Sequence, residues 1–563
     1  MQLADWIVLV STIGVLVLYG LYKGRSQKDI HSFLLAGKQL PWYHVLLSVM
    51  ATQASAITFL SVPGQAYTDG MRFLQFYFGL PLAMIVLCIT FVPIFHKLKV
   101  FTAYEFLETR FDLKTRQFTS FLFLLQRGLS TGLSIYAPGI ILSVILKVPV
   151  HYTTLAIGLL VIVYTVYGGT KAVSYTQLLQ MIIIFSGLIL AGYYSLKLLP
   201  QNIGMGTALH LAGDAGKMNL INFEFDWRDR YNIWSGIIGG FFLQLSYFGT
   251  DQSQVGRYLT AHSIKQSRMG LIINGILKIP MQFFILMLGV LVYVFYLFNQ
   301  PPLLFNEKEI SGKNKIVLSD PAYLQLKTSY ETINNQKTLA ATELAAAYNN
   351  NTTAVAEKKQ TFLTLTHASD SIRKEAKQFL SSKKITEQND GNYIFLSFVI
   401  AQLPTGLVGL LIAIIFLASM GSLASGLNSL ASSTVIDFYK RNHKTELDAK
   451  HYLKASRIST LAWGLFCIAA ALFASKMGNL VEAVNVLGSL FYGTILGIFL
   501  VAFYVKKIKG GAVLVPAIIT ELFVITCWYF DVMAFLWLNV LGCLMVVALS
   551  GVGMMLQGKH KSV

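Results

Sequence analysis

Residues 48–67 read SVMATQASAITFLSVPGQAY, part of an apolar run of membrane-crossing length with Ser, Thr and Gln in its interior and Pro63-Gly64 toward one end. A continuous transmembrane helix satisfies its backbone groups internally. Polar side chains and helix breakers within one therefore mark a place where backbone is offered to something else. A second run, 232–260, holds Gly249-Thr250-Asp251-Gln252 and lies five spans further on. Interrupted helices at corresponding positions of two halves are the pattern of an inverted-repeat transporter that holds ion and solute near the bilayer midplane. A pair of ordinary kinks filled by neighbouring helices gives the same pattern, so on these residues alone both readings stand.

Outward from these runs the chain keeps its apolar character. Of 563 residues, 55% are hydrophobic and 13% charged, and the mean hydropathy is +0.58, which excludes an ordinary soluble enzyme. We place spans at 4–22, 43–67, 73–95, 118–146, 150–167, 171–198, 232–260, 270–299, 394–438, 454–475, 479–505, 511–529 and 533–556, an all-α polytopic protein of about thirteen transmembrane helices. The first run, with Asp5 and neither a basic leader nor a small-residue cleavage motif, reads as a retained span. With the N-terminus outside, Lys23, Arg25 and Lys28 fall inside, as do Lys97, Lys99, Arg110, Lys114, Arg116, Lys171, Arg257, Lys265 and Arg268. The same holds for Lys440, Arg441, Lys444, Arg457, Lys506, Lys507, Lys509, Lys559 and Lys561, and the C-terminus lies inside too. Topology thus accounts for the formal charge of +18, and no nucleic-acid partner is expected.

Cys88, Cys467, Cys527 and Cys543 lie in apolar runs and read as packing residues. No His, Cys or acidic cluster falls within the spans, so no catalytic residue is assigned and no enzyme is expected. Residues 300–392 are polar and rich in Lys, Thr, Ala, Asn and Gln; they read as an outer insertion with surface helices, serving as a spacer or a lid.

Several motifs resemble the sodium/solute symporter family, nearest its iodide, monocarboxylate and multivitamin transporter branch. They are Val62-Pro63-Gly64-Gln65-Ala66-Tyr67, Val92-Pro93-Ile94-Phe95, Tyr104-Glu105-Phe106-Leu107-Glu108-Thr109-Arg110-Phe111, Ile135-Tyr136-Ala137-Pro138 and Gly168-Gly169-Thr170-Lys171-Ala172-Val173. Thr250-Asp251-Gln252 with Arg257-Tyr258-Leu259, and Ser422-Leu423-Ala424-Ser425 with Asn428-Ser429 and Asp437-Phe438-Tyr439, extend the likeness. The resemblance implies a leucine-transporter-type five-plus-five inverted repeat. On this chain that gives an N-terminal helix and linker (1–42), a first repeat (43–198), an outer loop (199–231), a second repeat (232–505) containing the insertion 300–392, and two C-terminal helices with a short tail (506–563).

The family's sodium site maps onto carbonyls of Ala51, Ala54 and Ala418 and onto two hydroxyl positions, Gly421 and Ser422. The glycine lacks its hydroxyl, so Ser419, Ser425 or a water completes the shell, or affinity is lower; a small-residue packing seam is the competing reading. A second sodium site of some members uses an aspartate in a Tyr-Thr-Asp motif. Here Tyr175-Thr176-Gln177 stands instead, with its partner hydroxyls reduced to Gly421, Ala424 and Ser425, and we expect one sodium per cycle. For the solute, the resemblance points to Gln53 and Thr58, with Gln75 and Tyr77 as weaker candidates; Tyr247 and Phe248 read as aromatic walls or gates, or equally as core packing. Arg127, about 16 Å into its span, suits capture of a carboxylate, the alternative being a structural ion pair. Asp251 with Arg257, and Lys278, read as gate or packing ion pairs. The function expected is sodium-coupled import of a small solute, carboxylate-bearing or a sugar, by alternating access at the cell membrane, without an obligate protein partner. A proton-coupled symporter on the same fold and a transporter-like sensor are the alternatives.

Overall fold

A computed structural model of the chain describes residues 1–24, 39–98, 100–307, 310, 317–350, 354–383, 385, 390–443, 448–474, 479–508 and 511–559. Of the basic residues placed inside, Arg25, Lys28, Lys99, Lys444, Lys509 and Lys561 lie outside this set, as do the side chains of Lys171 and Lys559. Each run assigned to a span falls mainly on helix. Among the described residues, nine helices are long and apolar enough to cross a membrane, with Val150–Val166 and Gly391–Gln402 as shorter apolar ones. Their outward faces are greasy: Leu18 is 68% exposed, Ile189 73% and Leu522 63%, a surface suited to lipid rather than water.

The helices used below are α1 (Leu3–Gly24), α2 (Trp42–Gln53), α3 (Ala56–Asp69), α4 (Leu113–Leu146) and α5 (Val150–Lys197). After them come α6 (Gly240–Thr250), α7 (Gln252–Tyr258), α8 (Ile264–Phe298), α9 (Pro321–Asn349) and α10 (Val355–Ser382). The last are α11 (Gly391–Gln402), α12 (Leu407–Ser433) and α13 (Leu480–Tyr504).

Both interruptions are present. Ala54 (φ −82°, ψ 86°) and Ser55 (φ −88°, ψ 175°) part α2 from α3, and Asp251 (φ −78°, ψ 117°) parts α6 from α7. Pro63 and Gly64, by contrast, stay helical within α3. A Cβ at Gly64 would lie 1.9 Å from the Gly391 carbonyl oxygen, and one at Gly289 would lie 2.1 Å from that of Pro63. The Pro-Gly pair therefore serves close approach of α11 and α8 to α3, the role small residues play between membrane helices.

α5 is assigned as one helix of 48 residues, which would measure about 72 Å if straight. Yet the Tyr164 and Thr176 hydroxyls are 3.0 Å apart, whereas twelve residues of straight helix separate their ends by about 18 Å. The chain reverses between them, giving two antiparallel limbs where two spans were placed.

The run read as one span over 394–438 divides into α11 and α12. They are parted at 403–406, where Gly406 takes φ +89°, a left-handed conformation that favours glycine. Asp5 of α1 then caps α12: its Oδ1 accepts from the Gly406 N–H at 2.6 Å and the Gly409 N–H at 3.3 Å, satisfying donors that a helix start leaves open.

The insertion holds an antiparallel hairpin. Glu343 of α9 pairs with Lys358 of α10 at 2.6 Å, and Ser369 of α10 donates to Asn334 of α9 at 3.3 Å. It has its own apolar cluster, including Tyr323, Tyr330, Ala376 and Leu380. Asp390, just before α11, is held by Arg373 at 2.5 Å and Lys377 at 2.9 Å. Burial alone would raise the Asp390 pKa, but these cations hold it below the ordinary carboxylate value. The Arg373 guanidinium also lies 6.0 Å over the ring of Tyr67 at the end of α3. The hairpin is thus tied both to α11 and to α3, the second half of the first broken helix.

Candidate functional site

The α2–α3 break releases two carbonyls. The Ser55 N–H donates to Gln53 O at 3.1 Å and the Thr58 N–H to Ser55 O at 3.0 Å, instead of reaching four residues back. The carbonyls of Ala51 and Ala54 thereby lose the donors that an unbroken helix supplies. Both residues are buried. The end of α2 meets the middle of α12, where the Thr52 and Ser425 hydroxyls are 3.1 Å apart. One and two turns earlier on α12 stand Ser422 and Ala418. The Ser422 hydroxyl donates to Ser419 O at 3.1 Å and keeps its lone pairs available.

A Cβ at Gly421 would lie 2.6 Å from Oε1 of Gln180, a buried oxygen without a hydrogen-bond partner among the described residues. The Gln180 amide therefore fills the space that a side chain at 421 would occupy. Ser425 is already committed, donating to Gly421 O at 2.9 Å; the Ser419 hydroxyl is buried and has no partner among the described residues.

Gln177 lies beside this cluster. Its Nε2 faces three oxygens, Gly421 O at 3.1 Å, Ser425 Oγ at 3.1 Å and Thr52 Oγ1 at 3.3 Å. Its Oε1 accepts from Ser48 Oγ at 2.6 Å. A neutral N–H₂ stands in an oxygen-lined position and supplies the donors those oxygens need. Ala424 is buried and brings no hydroxyl.

A cavity of about 100 Å³ opens next to the break. Gln53, Thr58, Tyr77, Arg127 and Tyr247 line it, as expected from the sequence. It is also lined by Phe76, Gln126, Gln244, Asn485 and Tyr492. Among the described residues, the Gln53, Gln126 and Gln244 side chains each leave a buried oxygen unpartnered, and Gln244 leaves its nitrogen so as well. Arg127 forms the floor. One guanidinium nitrogen pairs with Asp251 at the α6–α7 break and donates to Tyr492 Oη at 2.9 Å, and the group lies 5.5 Å over the Tyr247 ring. Asp251 further accepts from Tyr492 Oη at 2.7 Å and from the Ser253 N–H at 2.8 Å. Arg127 Nε remains buried without a partner among the described residues.

Two of the seven solute candidates are elsewhere. Gln75 is fully buried, donating to Tyr231 O at 2.9 Å and accepting from the Asn222 N–H at 3.1 Å; it ties down the segment 222–231, while its neighbours Phe76 and Tyr77 face the cavity. Phe248 is fully buried beside its wall-forming neighbour Tyr247. Two ion-pair expectations also change. Asp251 pairs with Arg127, not Arg257. Lys278 has no carboxylate partner among the described residues and lies 5.7 Å over the Tyr77 ring. Gln244 was missed, although a glutamine three residues before Tyr247 in an apolar run is a readable signal.

A family model described as the sodium:solute symporter family matches residues 33–328 and 375–519. The human sodium/iodide cotransporter is 33% identical over 299 residues, a match covering 53% of this chain and 45% of that one. The sodium/sialic acid symporter SiaT of Proteus mirabilis (strain HI4320) is 26% identical over 558 residues, covering 97% and 95% respectively. The solved outward-open, substrate-bound structure of a Na+-coupled sialic acid symporter superposes with a TM-score of 0.76 at 23% identity, covering 99% of this chain and 98% of that one. It shares the leucine-transporter-like helical fold.

Proposed function

Since this chain belongs to the sodium:solute symporter family, and is thereby a multi-pass membrane transporter coupled to sodium rather than an enzyme, we propose that it imports a small carboxylate-bearing solute with one sodium per cycle. The end carrying the insertion faces outward, and the repeats run over 43–198 and 232–505. Sodium is held by the carbonyls of Ala51, Ala54 and Ala418 and by the Ser422 hydroxyl, with Gln180 Oε1 supplying the oxygen that Gly421 lacks. A hard cation accepts such a neutral oxygen set. One ion is bound because the Gln177 amide occupies the place of a second.

The solute lies in the cavity beside the first break. The observation that carries the carboxylate reading is Arg127. Asp251 and Tyr492 fix it on one side, and among the described residues its Nε is unpartnered and three glutamines with unpartnered amide atoms share its cavity. A guanidinium anchored by one nitrogen presents the rest of its planar fork to an anion. Sodium bridges α2 to α12 and the solute bridges α3 to α4 and α6, so both ligands favour the same closed arrangement. That shared preference is what couples them in alternating access.

The test is thermal stabilisation of the purified protein across monocarboxylates, sialic acid, sugars and iodide, in sodium and in choline. A carboxylate that stabilises only in sodium is expected, with Ser422→Ala and Gln180→Leu each weakening the sodium response by roughly tenfold. Stabilisation indifferent to the cation, or lost only with a protonophore in liposome uptake, would instead favour proton coupling.

A further inference from the structure

A second polar cavity lies between α7 and α12, on the side of the break away from the solute. Its walls include Arg257 and Gln252 from α7 and Ser425, Asn428, Ser429 and Ser432 from α12. Arg257 is 3% exposed and Asn428 3% exposed. The Nη1 of Arg257 and both amide atoms of Asn428 have no hydrogen-bond partner among the described residues.

A buried guanidinium in a membrane protein needs a counter-charge, no carboxylate pairs with Arg257 among the described residues, and Asp251 and Asp437 are held by other groups. Asp251 is bound by Arg127, Tyr492 and Ser253, and Asp437 is bound by Arg116 at 2.7 Å, Thr102 at 2.7 Å and Ser120 at 3.1 Å. Position 177, on the neighbouring helix, carries a neutral amide. The sodium ligand Ser422 lies only seven residues from Ser429, about 10 Å along the axis of α12. Ser429 shares its cavity with Arg257, and an uncompensated cation there, in a low-dielectric interior, opposes sodium.

We propose that Arg257 and Asn428 hold a halide-sized inorganic anion, for which chloride is the physiological candidate. Arg257 supplies the charge, and the Asn428 amide supplies a further donor. The cavity measures about 20 Å³, room for roughly one water-sized occupant, so an organic carboxylate is excluded by size. The bound anion cancels the Arg257 field at the sodium site and stays in place through the cycle.

Saturable binding of radiolabelled chloride to the purified full-length protein in potassium gluconate tests this without reference to sodium or solute. Wild type is expected to bind, bromide to compete, and propionate not to. Arg257→Gln should abolish binding, and Lys97→Gln, which removes an exposed cation away from both cavities, should keep it. Should Arg257→Gln fail to fold, Asn428→Ala retains the charge and is expected to weaken chloride by roughly tenfold. The proposal is overturned by wild-type protein that binds no chloride, by unchanged binding in Arg257→Gln or in Asn428→Ala, or by propionate displacing chloride as well as bromide does.

Discussion

At the scale of single residues, the Arg127–Asp251 pair decides how the solute site is to be probed. Removing one member of a buried ion pair strands the other, at a cost of about 3–5 kcal/mol. Arg127→Gln alone is therefore expected to lower the melting temperature. The charge-neutral double variant Arg127→Gln/Asp251→Asn should recover most of that loss yet no longer distinguish a carboxylate from its neutral amide in ligand melts. Retained carboxylate preference in the double variant would remove Arg127 from recognition. Gln177→Asp is the complementary change. A carboxylate among Gly421 O, Ser425 Oγ and Thr52 Oγ1 offers a second cation its charge, so the sodium titration should steepen from a Hill coefficient near one; an unchanged slope would count against the displaced-ion reading. Arg127 was legible as a charge deep in an apolar run. Its partner was not, because Asp251 is 124 residues away and a sequence-local neighbour, Arg257, offered itself instead. Gln75 was misplaced because residues 70–77 form a 3₁₀ helix, whose tighter period rotates the side chains away from an α-helical register.

At the scale of helices, glycine contacts set the tolerances. Gly289→Ala places a methyl 2.1 Å from the Pro63 carbonyl and forces α8 away from α3; a loss on the order of 1–3 kcal/mol is expected, read as a lower melting temperature. Gly14→Ala on lipid-facing α1, where nothing lies within 4 Å, is the control and should melt like wild type. Equal melting of the two would show that α8 and α3 accommodate the methyl. The interrupted helices were readable from polar residues in apolar runs. The position of the first break was not, since Pro63 and Gly64 are stronger formal breakers than Ala54 and Ser55. Packing of α11 and α8 overrides them, keeping the pair helical while the chain opens nine residues earlier. The division of 394–438 into α11 and α12 was equally hidden, because both pieces are apolar and a single positive-φ glycine leaves no trace in hydropathy.

At the scale of the whole molecule, the insertion is a second small folded body whose existence was plain from composition, whereas its attachment through Asp390, Arg373 and Tyr67 rests on contacts that composition does not report. The family match skips 329–374, most of the hairpin. Lys337 lies buried within it, donating to Ser369 Oγ at 3.3 Å, and burial pushes its ammonium down to about 8, with Asp370 partly opposing the shift. Unfolding restores the ordinary value of 10.5, so the unfolded hairpin binds more protons between those limits and hairpin stability should rise as pH climbs from 8 toward 10.5. Hydrogen exchange of α9 and α10, corrected for intrinsic pH dependence, should show added protection over that window in wild type and none in Lys337→Met. The Gln177 amide, finally, bears on the energetics of accumulation. On the proposed stoichiometry, one sodium entering with one monovalent anion moves no net charge, so uptake should generate no current and ignore the roughly 2.3 kcal/mol per charge that 100 mV would otherwise contribute. The steepest solute gradient such a carrier sustains equals the sodium concentration ratio itself, suiting it to a solute that is scavenged modestly rather than concentrated a thousandfold.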